Sequence, residues 1–256
     1  MRYRRPSVDD LRRVTQPARV VGRRSEEHWA GRLYMRRVSV HVTRLAVRLG
    51  IGADAVTVLM LVVGLAGSAA VFVGGLWPTL VAVGGIQLYL LLDCVDGEVA
   101  RWNRTESARG VYLDRISHYL VETCLLAGLG WRAGGGTGST WLAVGLAAGL
   151  GVVLARIETD LIDAARAKAG MAAIGDRGAT VRRPALRRIR RLADFFPLHR
   201  ITGAIEASLL IAGAAVYDRA RGDLIASRGV VITMAVVAGL VVVGHLVSVL
   251  ASDRLR

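Results

Sequence analysis

The sequence predicts an all-α polytopic membrane protein with six transmembrane helices preceded by an amphipathic juxtamembrane helix. Three observations carry this. With 53% hydrophobic residues and a mean hydropathy of +0.44, the chain is too apolar for an ordinary soluble domain. Its formal charge of +14 is too large to be spread through lipid, where each ionised group is costly, so charge and apolarity must be segregated along the chain. Apolar stretches long enough to cross a bilayer, which takes roughly 20 residues, recur between polar segments.

Residues 1–26 read as a polar cytoplasmic arm, and residues 27–256 as one membrane domain. The arm has no apolar core of the kind a secretory signal needs. From 27 to 49 a helical pattern sets Tyr34, Val38, Val42, Leu45 and Leu49 on one side and Arg37, His41, Arg44 and Arg48 on another. This suits a helix lying on the inner membrane surface; a solvated helix packed on the protein body fits the same pattern. Six spans are then expected near 55–75, 79–101, 110–131, 140–165, 198–217 and 229–250, within 54–250. Arginine crowds the first 50 residues and the 166–200 stretch. By the positive-inside rule both termini and the basic 166–197 loop are cytoplasmic, in a cell (plasma) membrane. A pI near 11 also suits nucleic-acid binding, but arginines flanking membrane helices are explained by topology and anionic headgroups. No aromatic stacking platform is interleaved with them, so no nucleic-acid partner is expected. Cys94 and Cys124 belong to no C-x-x-C or ligand cluster and read as packing residues. Gly145 and Gly149, one helical turn apart, fit a close helix contact.

Function is concentrated between Asp93 and His118, in DCVDGEVARWNRTESARGVYLDRISH. Asp93, Asp96 and Ala100 share a helix face, as do Gly110, Asp114, His118 and Glu122 on the next helix. Two such faces opposed would gather three aspartates into an oxygen-rich pocket, the ligand set that hard divalent cations prefer. One aspartate at a helix end is usually a cap or a salt-bridge partner. Three at these spacings, beside membrane helices, point to a functional site.

The order Asp93, Asp96, Gly97, Ala100, Arg101, Gly110, Asp114 resembles the signature of the CDP-alcohol phosphotransferase family, D-x2-D-G-x2-A-R-x8-G-x3-D-x3-D. Seven of its eight fixed positions match, and the eighth, an aspartate in the family, is His118 here. The resemblance implies an enzyme that moves a substituted phosphoryl group from a CDP-linked donor to an alcohol and releases CMP. It implies Asp93, Asp96 and Asp114 as metal ligands, normally for two magnesium ions, with manganese the other candidate. Gly97, Ala100 and Gly110 would be small where the nucleotide approaches, and Arg101 would offer its planar fork to a phosphate oxygen. His118 stands where the family places an acid that ligates metal and takes the acceptor proton. Histidine is a capable base near neutral pH but a poor magnesium ligand. His118 is therefore expected to keep the base role, with Glu122 orienting its ring; the competing reading is a packing histidine in a protein of lost or changed activity.

Ala53 and Asp54 replace the Pro-Asn pair at the family's entry to its first helix, and Asp54 can still cap that helix. Relatives that accept a phosphorylated alcohol hold its phosphate with basic residues of the later helices, which makes Arg156, His199 and Arg200 acceptor-binding candidates. An ion pair of Arg156 with Glu158, Asp160 or Glu206 is the structural alternative. The reading reached is transfer of a phosphatidyl-type group from CDP-diacylglycerol to a polar alcohol, in phospholipid biosynthesis, by a homodimer in the lipid bilayer. Two others stay open: a soluble CDP-alcohol donor with a lipid or inositol phosphate acceptor, and a non-catalytic CDP-lipid-binding membrane protein.

Overall fold

The computed structural model describes residues 6–17, 31–172, 201–252 and 255. All of its elements are helical. In order they are α1 (Val8–Thr15), a π-helical turn (Gly31–Met35) running into α2 (Arg36–Arg48), α3 (Ala53–Ala70) closed by a 3-10 turn (Val71–Val73), α4 (Leu76–Asn103), α5 (Ala108–Ala133), α6 (Thr140–Lys168), α7 (Ala204–Arg221) and α8 (Ile225–Leu250). The chain divides into two compact units, one of Met1–Ser68 with Val81–Val121 and the other of Ala69–Leu80 with Glu122–Arg256.

Four helical stretches are long and apolar enough to cross a membrane, Ala53–Val73, Leu76–Asn103, Thr140–Lys168 and Ile225–Leu250. They fall at the first, second, fourth and sixth expected spans. Helices also stand at the third and fifth, but α5 carries Arg109, Asp114, Arg115, His118, Glu122 and Arg132, and α7 is 18 residues long with Glu206 near its start and Asp218, Arg219 and Arg221 near its end. Composition alone does not place these two in lipid. Their inner charges Glu122, Arg132 and Asp218 are turned into the protein and buried.

The amphipathic segment forms α2, and its packing face differs from its apolar face. Ser39, Val40, Thr43 and Ala46 are buried, while Leu33, Val38, Leu45 and Leu49 stay exposed. Small residues let this helix sit close to the body and leave a greasy edge outward. The basic loop from 173 onward and most of the N-terminal arm lie outside the described residues.

Small residues also set the approach of α5 and α6 in the second unit. A Cβ on Gly145 would stand 2.5 Å from the carbonyl oxygen of Leu126, and one on Gly149 would stand 3.1 Å from Thr123 Cα. The glycine pair therefore marks a backbone-to-backbone contact. Helix α4 begins after Gly74 and Gly75, both at positive φ (75° and 77°), where a Cβ would be strained. From Leu76 to Leu92 it carries no ionisable charge, a length of about 26 Å at 1.5 Å per residue. The first carboxylate, Asp93, thus comes where an apolar span is nearly exhausted.

Candidate metal and phosphoryl-transfer site

In the first unit α4 and α5 bring three motif side chains together. Ligand atoms of Asp93, Asp114 and His118 all lie within 4.8 Å of one another. His118 Nε2 is 3.2 Å from Asp93 Oδ1 and 3.5 Å from Asp114 Oδ1. Asp114 Oδ1 is buried and accepts no hydrogen bond among the described residues, a costly state for a carboxylate oxygen. Two carboxylates and an imidazole around such an oxygen are a donor set that fits a divalent cation, with oxygen for hard ions and nitrogen for borderline ones.

Asp96, expected beside Asp93 and Asp114, is held differently. Thr57 of α3 donates its hydroxyl to Asp96 Oδ2 at 2.8 Å, and the Gly97 N–H meets Oδ1 at 2.5 Å. A carboxylate has about four lone-pair sites, so both oxygens retain capacity for a cation. Helical spacing sets Asp96 near Asp93 on α4, but its side chain is held by Thr57, which lies 39 residues away in sequence.

Arg101 donates from Nε to the Thr15 carbonyl at 2.7 Å. A Cβ on Gly97 would lie 3.1 Å from Arg101 Nη1, so the missing side chain makes room for this guanidinium. Ala100 sits on the same stretch of α4, half-buried. Gly110, in the first turn of α5, donates its N–H to Ser107 Oγ at 3.1 Å, which satisfies one of the free donors at a helix start. Asp54 lies inside the first turn of α3 and pairs with Arg109 at 3.4 Å; no capping bond from its side chain occurs among the described residues.

The imidazole's neighbour is not Glu122. Tyr89 meets His118 Nδ1 at 2.5 Å, whereas Glu122, in the second unit, forms a two-pronged pair with Arg156, including an Nε to Oε2 bond of 2.7 Å. The carboxylate expected to orient the ring is thus neutralised by the arginine expected to bind acceptor phosphate. Of the other acceptor candidates, His199 and Arg200 lie outside the described residues. Cys94 and Cys124 are free thiols.

Sequence reasoning missed Tyr89, Glu98 and the contact that Thr57, the threonine of the family's entry to its first helix, makes with Asp96. Tyr89 stands one turn before Asp93 on the same face, and that offset was a usable signal. Glu98 fills a variable position of the motif and is 0% exposed. It accepts from Gln16 Nε2 at 2.8 Å, from Ser39 Oγ and Thr43 Oγ1 at 2.6 Å each, and pairs with Arg36 at 3.4 Å. This carboxylate ties α2 and the end of α1 to the helix that bears the motif.

A profile of the CDP-alcohol phosphatidyltransferase family matches residues 51–181, just over half of the chain. Among curated proteins none matches. Among solved structures, the phosphatidylinositol phosphate synthase PgsA1 of Mycobacterium tuberculosis, crystallised with manganese and citrate, is similar with a TM-score of 0.55 and 19% identity. The match covers 84% of this chain and 90% of that one, and at this identity the likeness is one of fold. Motif, profile and helical architecture agree: the chain belongs to the CDP-alcohol phosphatidyltransferase family and is a phosphotransferase.

Proposed function

We propose that the protein transfers a phosphatidyl-type group from CDP-diacylglycerol to a polar alcohol, forming a phospholipid and CMP at the cytoplasmic face of the plasma membrane. The observation that carries this is the gathering of Asp93, Asp114 and His118 around a buried carboxylate oxygen that lacks a hydrogen bond among the described residues, at the end of the apolar span of α4 and on the facing helix α5. The manganese and the lipid-synthase activity named for PgsA1 support the same class of chemistry. In this reading six helices cross the membrane, α2 lies along its inner surface with Leu33, Val38, Leu45 and Leu49 in the acyl boundary, and the protein is a homodimer.

Asp93, Asp96 and Asp114 would hold magnesium or manganese, two ions in the family pattern. Bound there, the ions neutralise the donor diphosphate and the charge that grows on departing CMP. The chain's own groups do the rest. Gly97, Ala100 and Gly110 leave the backbone open to the nucleotide, and Arg101, anchored through Nε, has its two terminal amino groups to offer to phosphate oxygens. The acceptor oxygen attacks the phosphorus that bears the lipid, the bond from that phosphorus to the CMP oxygen breaks, and CMP leaves with the electron pair. His118 Nε2 takes the acceptor proton. Arg156 would turn to an acceptor phosphate only by loosening its pair with Glu122, and His199 and Arg200 remain acceptor candidates.

CMP release by the purified protein tests the proposal, with CDP-diacylglycerol, magnesium or manganese, and a panel of polar alcohols and their phosphates. Release that needs one acceptor and is lost in Asp96→Asn and His118→Ala is the expected result. Metal-dependent binding of CDP-diacylglycerol with no release under any acceptor would favour a binding protein. No binding of it, with release from soluble CDP-alcohols, would move the donor to that class.

A further inference from the structure

A base is useful only if the correct ring nitrogen faces the reaction with its lone pair free. Neutral imidazole carries one N–H, and the partner of the second nitrogen decides where that hydrogen sits. In this structure Nε2 of His118 faces Asp93 and Asp114, and Nδ1 faces the Tyr89 hydroxyl at 2.5 Å. The two rings meet edge to face with centroids 5.6 Å apart.

The tyrosine is built into this place. Its side chain is fully buried, although a phenol in an apolar helix needs a partner for its hydroxyl. Room for the ring comes from Gly64 of α3, where a Cβ would stand 2.7 Å from Tyr89 Cδ2 and 2.6 Å from Val121 Cγ2.

We propose that Tyr89 is the positioning residue of His118: it gives the Nδ1 hydrogen an acceptor, so that Nε2 presents its lone pair to the acceptor hydroxyl. A phenol both donates and accepts. With Nδ1 accepting from Tyr89, Nε2–H donates to Asp93 and the ring rests in a form that cannot take a proton. With Nδ1–H donating to the Tyr89 oxygen, Nε2 carries a lone pair and the ring can act. A phenylalanine supports neither arrangement, and a carboxylate supports only the second.

The inference rests on the base role given to His118 above, and the test separates the two. Tyr89→Phe removes one oxygen and keeps the packed ring. In metal-free protein labelled with 15N-histidine, the His118 ring nitrogens, assigned by their absence in His118→Ala, are expected to shift in Tyr89→Phe toward the Nε2–H form. In CMP release, kcat is expected to fall roughly ten- to a hundredfold, part of the roughly 10²–10⁴ that a general base supplies, with KM for the CDP donor held within about twofold. In a His118→Ala background the same substitution is expected to change kcat by less than about twofold, because residues acting through one another are non-additive. Unchanged ring shifts, or a kcat loss that persists in full without His118, would overturn the role of Tyr89. Wild-type kcat in His118→Ala would instead overturn the base assignment, with the ring shifts still deciding whether Tyr89 sets the tautomer.

Discussion

The two units treat ionisable groups in opposite ways. In the second, Glu122, Glu158 and Asp218 each have a matched partner. Glu122 is clasped by Arg156, Glu158 receives His245 at 2.9 Å, and Asp218 takes the Ala226 and Ser227 N–H groups and the Ser227 hydroxyl with Arg132 3.8 Å away. In the first, Asp93 and Asp114 lie together, and among the described residues their only ion-pair partner is His118. Matched pairs are what folding tolerates inside apolar surroundings. An uncompensated excess of carboxylate persists only where something outside the chain is meant to neutralise it.

The sharpest way to break this comparison is to remove one acid from each unit. Asp93→Asn is expected to lower CMP release by roughly 10³-fold, the scale on which charge stabilisation at a reacting phosphate is lost. Melting of the metal-free protein is expected to stay the same or rise, because one of two crowded negative charges is gone. A drop in melting temperature with activity retained would make Asp93 a structural residue. Asp218→Ala should do the reverse. It leaves Arg132 buried at 6% exposure without its acid, and should cost about 3–5 kcal/mol of stability, while KM of the protein that remains folded is unchanged. Unfolding followed in detergent against the wild type checks the first value, and donor titration the second.

Glu98 lies between these extremes, since it is buried in the first unit yet fully supplied with donors. Glu98→Ala takes the acceptor of Thr43 and leaves Ser39 and Gln16 only the Arg36 carbonyl, and should cost about 1–3 kcal/mol. The loss should appear first as faster amide exchange in α2. Uniform exchange across both units after this change would mean that Glu98 holds the whole fold and not the arm.

What the sequence disclosed follows from the range of each interaction. Helix existence and the motif were legible, because apolar runs and offsets of three and four are local. The face that carries Asp93 and the face that carries Asp114 and His118 follow from the same periodicity. Partners set by tertiary packing were not. Asp96 turns to Thr57, 39 residues back; Glu98 gathers donors 55, 59 and 82 residues away; Glu122 goes to Arg156 on another helix and leaves the imidazole to Tyr89. Six apolar runs were counted from hydropathy, yet four qualify by length and composition among the described residues. In α5 and α7 part of the charge that weakens the hydropathy signal is buried in pairs, as with Glu122, Arg132 and Asp218, or gathered at the site, as with Asp114 and His118.

The smallest expected effect sharpens the comparison from the solvent side. Asp223 is five residues past Asp218, in the turn between α7 and α8, and is exposed. The Ile225 N–H on Oδ1 at 3.2 Å, and then the Arg221 guanidinium on Oδ2 at 3.1 Å, hold its carboxyl below the usual range. A folded-state value below the unfolded one of about 3.9 means that the charged form is favoured by folding. Its stabilisation is therefore fully present above that range and is lost as pH falls through the folded-state value. Asp223→Ala should lower the melting temperature slightly at neutral pH, and the difference from wild type should close as the pH is taken below the carboxylate range. Asp218→Ala should show the larger deficit at neutral pH, because it leaves the buried Arg132 charged and without its acid. If the two variants cost the same at neutral pH, burial would not be what separates the matched acids of the second unit from its exposed ones.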